Sequence, residues 1–221
     1  MTTQTKRAAW DIVGGLSNPS KMPGLSIGLP ARQTCPVGNK LADIPGTPCH
    51  GCYADDRGMY QLPVVKEAQA RRLARIRQAL SGPTARAAWV AAMVTLISKQ
   101  EFFRWHDSGD IFSADYLTLI IDVVVATPNV RHWLPTQERA TVRAWMRVHG
   151  AFPENLTVRV SMPLIDAAPE MIAATNRALG LPVSSVKLDG ASCPARFQGN
   201  ECGECRNCWD ATVLHVSYPK H

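Results

Sequence analysis

The chain has 221 residues, of which 46% are apolar and 19% charged, and its formal net charge is +6. These values are ordinary for one globular domain, and no apolar run is long enough to span a membrane. No apolar segment follows Lys6 and Arg7, so a secretory signal is not indicated. We therefore expect a single cytoplasmic domain whose seven cysteines stay reduced, which favours metal binding over disulfides.

Apolar periodicity predicts helices and strands in alternation, interrupted by two cysteine-rich loops at 31–58 and 189–209. The predicted strands are 25–29, 102–105, 130–134, 156–161 and 183–188. The predicted helices are 6–13, 63–80, 84–99, 113–125, 138–149 and 168–179. The first cysteine loop follows the first strand, and the second follows the last strand.

This alternation predicts an α/β domain with a mostly parallel sheet, either open or curved into a partial TIM-like (β/α) barrel. In both architectures, functional sites lie at the C-terminal ends of the strands. We expect both cysteine-rich loops at that edge. Three polar segments are expected beside them: His106–Asp110, Pro135–Gln137 and Ser161–Met162.

The C-terminal cysteine group consists of Cys193, Cys202, Cys205 and Cys208, four thiols within sixteen residues. Two-residue gaps allow successive thiolates to turn toward a single ion or cluster. A C-x2-C-x2-C run with a separate Cys-Pro is typical of 4Fe–4S ligation, whereas zinc sites more often pair two C-x2-C units. Iron–sulfur binding is favoured, and tetrahedral zinc is the alternative.

The N-terminal cysteine group consists of Cys35, Cys49 and Cys52. Three thiolates can hold a 4Fe–4S cluster and leave one iron open to a further ligand. Alternatively, these thiols bind zinc together with His50, or they share a single centre with the C-terminal cysteine group. The sequence does not decide how the two loops are grouped.

Two further features have both a functional and a structural interpretation. His106, Asp107, Ser108 and Asp110 follow a strand and could bind a ligand, with Gly109 allowing its close approach, or form a capped turn. Gln137, Glu138 and Ser161 are lesser candidates of the same kind. The basic helix 63–80 could contact nucleic acid, although a solvated basic face is the simpler interpretation.

Three motifs carry a family resemblance: Gly15–Gly24, Pro45–Ala54 and Phe103–Asp110. With them the chain resembles the gene product 88 family of actinobacterial phages over most of its length. The resemblance implies a phage origin and the host-cell cytoplasm as location, and it implies no particular activity.

A more distant likeness is to radical S-adenosylmethionine enzymes, carried by the Cys-Tyr ending of Cys49-x2-Cys52-Tyr53. The resemblance implies that Cys35, Cys49 and Cys52 hold a 4Fe–4S cluster whose open iron binds S-adenosylmethionine. It also implies that Ser108, Gly109 and Asp110 contact this cofactor, at the place of a Gly-Gly-Glu-like segment. The C-terminal cysteine group would then bind an auxiliary cluster.

The chain departs from that enzyme pattern in three ways. Thirteen residues separate Cys35 from Cys49 instead of three, Asp110 replaces a glutamate, and the predicted barrel is one strand short. Three hypotheses follow: a radical S-adenosylmethionine-like enzyme, a non-catalytic iron–sulfur protein for electron transfer, sensing or nucleic-acid binding, and a zinc-stabilised accessory protein.

Overall fold

The computed structural model describes residues 5–220, which form a six-stranded sheet and eight α-helices within that range. The strands are β1 (Leu25–Ile27), β2 (Phe102–Trp105), β3 (Arg131–Thr136), β4 (Leu156–Ile165), β5 (Val183–Lys187) and β6 (His215–Pro219). The helices are α1 (Lys6–Val13), α2 (Pro36–Leu41), α3 (Tyr53–Asp56), α4 (Pro63–Ala79), α5 (Pro83–Ile97), α6 (Ala114–Ala126), α7 (Arg139–His149) and α8 (Pro169–Leu179). Short 3₁₀ turns lie at Gly58–Gln61, Pro194–Phe197 and Asn207–Trp209.

All six strands are parallel, and their order in the sheet, β1-β2-β3-β4-β5-β6, is their order in the chain. The predicted α/β class and parallel sheet are confirmed. The prediction of five strands was wrong, because β6 pairs with β5 over its full length after the second cysteine loop. Winding a parallel sheet in one direction is also how (β/α) barrels are built.

The ends of the helices follow from local sequence. Proline occupies the first turn of α4, α5 and α8, where its missing N–H costs no hydrogen bond. Ser113 caps α6 by accepting a hydrogen bond from Tyr116 N at 3.1 Å. Gly180 ends α8 in the left-handed conformation. These signals explain why the long helices match the predicted ranges to within two residues.

One face of the sheet is covered by helices. The main hydrophobic core joins buried residues of α1, α4, α5, α6 and α7 to alternate residues of β1–β4, including Ile27, Phe103, Trp105, Leu134 and Val158. Farther along the sheet, α8 buries Ile172 and Leu179 against Val160 and Val183. Within residues 5–220, no helix is both long and apolar enough to cross a membrane.

The opposite, helix-free face of the sheet carries the intervening side chains of the same strands. Phe102 and Trp133 lie there, and they pack with Met22, Trp209 and Tyr218 in a separate apolar cluster that also touches Cys202 and Cys208. The second cysteine loop, with the segment before β1, therefore covers a face that would otherwise expose large aromatic rings.

The predicted apolar face of α4 was partly wrong. Val64 is 69% exposed, whereas Gln69 and Arg72 are buried. The guanidinium of Arg72 donates hydrogen bonds to Gly15 O, Ser17 Oγ and Gly28 O, which accounts for its burial. Arg71 also donates to Gly14 O, so two of the five basic residues of this helix hold the N-terminal segment in place.

Buried His132 gives a pH-dependent prediction. Its Nδ1 accepts from Trp105 Nε1, so Nε2 carries the proton and donates to Thr127 Oγ1 at 2.9 Å. Burial lowers the pKa of His132 to about 3, below its ordinary value near 6.5. The unfolded chain therefore binds a proton first as the pH falls, and stability due to neutral His132 is lost between about pH 6.5 and 3.

We expect this loss to reach about 1.4 kcal/mol per pH unit within that window. His132→Gln removes the titrating group and is expected to make the free energy of unfolding less steep in pH. Denaturant unfolding of both proteins at several pH values measures the difference. Equal slopes would contradict the assignment of a neutral, buried imidazole.

Candidate metal sites

The N-terminal cysteine group is built by the loop that follows β1. Cys35 immediately precedes α2, Cys52 immediately precedes α3, and Cys49 lies in the turn between them. All three thiols are half-buried. Cys35 and Cys49 both pack on Gly38, because a Cβ added there would lie 3.0 Å from Cys35 Cβ and 3.5 Å from Cys49 Sγ.

Contacts from neighbouring strands hold this loop at the C-terminal edge of the sheet. Glu138, just after β3, accepts a hydrogen bond from Val37 N at 2.7 Å. Gly46 O accepts from Ile165 N, at the end of β4. The first cysteine loop therefore lies at the sheet edge where sequence analysis predicted it.

Cys35 and Cys49 share a buried and acidic environment. Burial raises the pKa of the Cys35 thiol to about 12, with contributions from Asp110 and from the thiols of Cys52 and Cys49. Burial also raises the pKa of Cys49 to about 12, with contributions from Cys52, Asp110 and Glu138. Neutral thiols are thus favoured at Cys35 and Cys49 in the absence of a cation, and a bound cation would be needed to hold these two as thiolates.

Asp110 is a buried carboxylate that acts on the thiols of Cys35 and Cys49. Oδ1 accepts from Thr136 Oγ1 at 2.6 Å and from Ile111 N at 2.7 Å, and Oδ2 accepts from Gln137 N at 2.8 Å. Burial raises the pKa of Asp110 to about 7, although these three hydrogen bonds oppose the rise. Gln137 and Glu138, which the sequence marks only as lesser candidates, directly follow β3 and belong to this edge.

Ser108 and Gly109 are packed into the protein. Ser108 Oγ donates to Leu29 O at 2.8 Å and accepts from Gln69 Nε2 at 2.7 Å. Gly109 has a φ of +80°, and a Cβ there would lie 2.5 Å from Thr34 Oγ1 and 2.8 Å from Leu29 Cβ. Both residues hold the loop that follows β2 against the loop that follows β1. Their contact with a cofactor stays a prediction.

The two other polar candidates of these loops also have internal contacts. His106 is buried with its Nε2 3.0 Å from Tyr116 Oη, and it has a positive φ of 57°. Exposed His50 has its Nδ1 2.9 Å from Ala42 O. This contact occupies one ring nitrogen of the histidine that sequence analysis considered as a zinc ligand.

Replacing Gly109 with alanine tests the packing of this turn. The left-handed backbone alone costs a non-glycine residue about 1–2 kcal/mol, and forcing a methyl group against Leu29 and Thr34 adds about 1–3 kcal/mol. Gly150→Ala is the matched control, since Gly150 has a φ of +84° and open space around it. Thermal and denaturant unfolding should show a clearly larger loss for Gly109→Ala. Equal losses would contradict the tight packing of Gly109 against Leu29 and Thr34.

The C-terminal cysteine group surrounds one small cavity. All four thiols, of Cys193, Cys202, Cys205 and Cys208, line it together with Trp209 and Val216. Cys193 N donates to Ser217 O of β6, Cys202 N donates to Lys21 O, and Cys205 N donates to Cys202 O in a tight turn. The loop therefore gathers thiols that are up to fifteen positions apart in the chain.

This second loop folds back over the sheet. Trp209 meets the rings of Phe102 and Trp133 edge-on, each at 5.2 Å, and its Nε1 donates to Phe103 O. Thr157, the second residue of β4, donates to Trp209 O at 2.9 Å. The prediction that both cysteine loops stay at the C-terminal strand ends was therefore wrong for the second loop. The reason is the apolar helix-free face, which this loop covers.

The C-terminal cysteine group lies in a basic environment. Burial raises the pKa of Cys208 to about 11, while a hydrogen bond with Tyr218 and the cations Arg159 and Arg104 lower it. Burial also raises the pKa of Cys202, as do Cys193 and Cys205, and Lys21 and Arg206 lower it. Cys208 Sγ lies 3.2 Å from Tyr218 Oη.

The thiol arrangement is looser than the shell of one metal ion. Among the side chains that the structure describes, in residues 5–55 and 57–220, no set of three or more His, Cys, Asp or Glu is placed to hold a single ion. The electrostatic interactions between thiols nevertheless fall within the two groups: Cys35 with Cys49 and Cys52, Cys193 with Cys202 and Cys208, and Cys202 with Cys205.

Comparison with known proteins places the chain in one family. The gene product 88 family model matches residues 2–211. The chain belongs to the gene product 88 family. This is the family that the three sequence motifs indicated. No curated protein and no solved structure matches this gene product 88 protein, so neither comparison supports the likeness to radical S-adenosylmethionine enzymes.

Proposed function

We propose that this gene product 88 protein is a phage iron–sulfur protein with two thiolate-bound centres. One centre would be held by Cys35, Cys49 and Cys52, and the other by the C-terminal cysteine group. The observation that carries the proposal is the gathering of all seven half-buried cysteines into two groups by separate parts of the fold. Clusters of reduced cysteines are expected in a cytoplasmic protein when the cysteines bind metal.

The chemistry of the donors favours iron–sulfur clusters over zinc. Four thiolates around zinc converge to about 2.3 Å from one point. The thiolates of a 4Fe–4S cluster bind separate irons, so they need not converge in this way. The C-x2-C-x2-C run of Cys202, Cys205 and Cys208 with the Cys193-Pro194 pair also favours the cluster.

The N-terminal cysteine group suits a centre that takes a further ligand. Three thiolates leave one iron of a 4Fe–4S cluster open, and Asp110 and Glu138 lie beside the thiols. These carboxylates favour a ligand with a positively charged group, as S-adenosylmethionine has. The five strands predicted from sequence were one short of the barrel pattern of radical S-adenosylmethionine enzymes. The sixth parallel strand supplies this missing strand. A reduced cluster would supply one electron to such a ligand.

A non-catalytic iron–sulfur protein is the second candidate. The observation that favours it is the internal use of this segment, because the polar side chains of Ser108 and Asp110 are hydrogen-bonded within the protein and Gly109 is packed against Leu29. In that case the clusters serve electron transfer or sensing. Nucleic-acid binding by α4 would rest on the basic residues of this helix other than Arg72.

Metal analysis of anaerobically purified protein tests the proposal. Two clusters predict brown protein with about eight irons and about eight sulfides per chain. Colourless protein with one or two zinc ions would contradict the proposal and leave the zinc-stabilised accessory protein. Calorimetry with S-adenosylmethionine then separates the two candidates, because only the enzyme-like centre is expected to bind it.

A further inference from the structure

A buried cation lies beneath the C-terminal cysteine group. Arg159 of β4 is 0% exposed, and its guanidinium donates to four carbonyl oxygens. Two of these, Asn207 O and Asp210 O, belong to residues on either side of Cys208 and accept from Arg159 Nη2 at 2.8 and 3.1 Å. Its Nε is buried without a hydrogen-bond partner in the described chain.

One carboxylate that acts on this arginine is that of Asp210, which is exposed and accepts two hydrogen bonds from Thr212. Water screens an exposed carboxylate, so Asp210 compensates the buried cation only in part. A buried cation is costly unless an anion lies nearby. Since Arg159 holds the backbone on both sides of Cys208, the anion that best compensates it is a thiolate-bound centre in the adjoining cavity.

Further cations surround the same cavity. The Arg104 guanidinium lies 4.5 Å from the centre of the Trp133 ring on the helix-free face. Arg206 donates to Cys205 O at 2.9 Å, and Lys21 O accepts a hydrogen bond from Cys202 N. The C-terminal cysteine group is thus enclosed by positive charge on the sheet side and at its rim.

The N-terminal cysteine group has the opposite surroundings. The carboxylates Asp110 and Glu138 act on its thiols, and Glu138 accepts from Val37 N two positions after Cys35. Lys40 offsets part of the charge of Glu138. Negative charge near a cluster opposes the addition of an electron, and positive charge favours it. The fold therefore gives the two groups different electrostatic environments.

We infer that the C-terminal cysteine group holds the electron-accepting centre of the two, because Arg159 and the neighbouring cations stabilise the negative charge that reduction adds. This inference rests on the proposed iron–sulfur function. One electron from an external donor such as dithionite enters the cluster, whose charge becomes more negative by one, and no bond is made or broken. Arg159 acts as a positioning and charge-compensating residue, and Cys193, Cys202, Cys205 and Cys208 act as ligands.

The experiment is a stepwise anaerobic reduction of the full-length protein, followed by electron paramagnetic resonance. We expect two reduction steps. The step at higher potential should be missing in Cys205→Ala and retained in the triple variant Cys35→Ala/Cys49→Ala/Cys52→Ala. The opposite assignment of the two steps would overturn the inference.

Charge variants test the role of Arg159 itself. Arg159→Met should move the higher-potential step to more negative potential, and Arg159→Lys should restore most of the shift. Arg86→Met is the matched control, because Arg86 pairs with Asp122 between α5 and α6, away from the thiols. Lys21→Gln, a change on a half-buried side chain beside Cys202, should shift the step in the same direction by a smaller amount.

Lys21→Gln keeps the test decisive if Arg159→Met does not fold. Full iron content with an unchanged potential in Lys21→Gln and in any folded Arg159→Met would overturn the inference while leaving the proposed function intact. Protein without iron would overturn both.

Discussion

Cys205→Ala is expected to remove the metal of the C-terminal cysteine group and to lower the free energy of unfolding by several kcal/mol. Cys205 lies at the middle of the C-x2-C-x2-C run, and its thiol lines the cavity with those of Cys193, Cys202 and Cys208. A metal that binds only the folded loop contributes its binding free energy to folding, so loss of one ligand affects stability directly.

Metal content and thermal melting of the purified variant measure this effect. Glu204→Ala is the matched control, since Glu204 is the exposed neighbour in the same turn. We expect the control to keep its metal and its melting temperature. Full metal content and unchanged melting in Cys205→Ala would contradict the assignment of the four ligands.

Trp209→Ala is expected to cost about 3–5 kcal/mol of unfolding free energy, the range for removing a buried tryptophan. Trp209 is 5% exposed, packs edge-on against Phe102 and Trp133, and donates to Phe103 O. Its removal leaves a cavity between the second cysteine loop and the helix-free face, and it frees the backbone beside Cys208.

Denaturant unfolding of the metal-free protein measures this packing without the contribution of the metal. Trp10→Ala is the control, because Trp10 on α1 is 41% exposed. A loss for Trp209→Ala no larger than that of Trp10→Ala would mean that the loop does not pack on the sheet in solution.

The helices and most strands could be predicted because their signals are local. Proline at helix starts, Ser113 as a cap and Gly180 as a stop lie within a few residues of the boundaries they set. The sixth strand, His215–Pro219, could not be predicted in the same way. It is five residues long, ends in proline, and depends on pairing with β5 across the whole second cysteine loop.

The cysteine ligands were predictable from spacing, whereas the charges around them were not. Asp110 and Glu138 come beside the thiols only because neighbouring parallel strands end at the same edge. Arg159 is a charged residue in an apolar strand, and its alternation with Val158 and Val160 was a signal that the two faces of β4 differ. The sequence did not indicate what would cover the helix-free face, because the covering segment is the second cysteine loop, whose Trp209 lies fifty positions after Arg159.

The measurement that tests the two-centre proposal most directly is the iron content per chain of the wild type and of the triple variant lacking Cys35, Cys49 and Cys52. If the two groups are separate centres, the variant retains about half of the iron, together with the visible absorption of a 4Fe–4S cluster. Loss of all iron would mean that both groups share one centre. Iron content equal to that of the wild type would mean that the N-terminal cysteine group binds none.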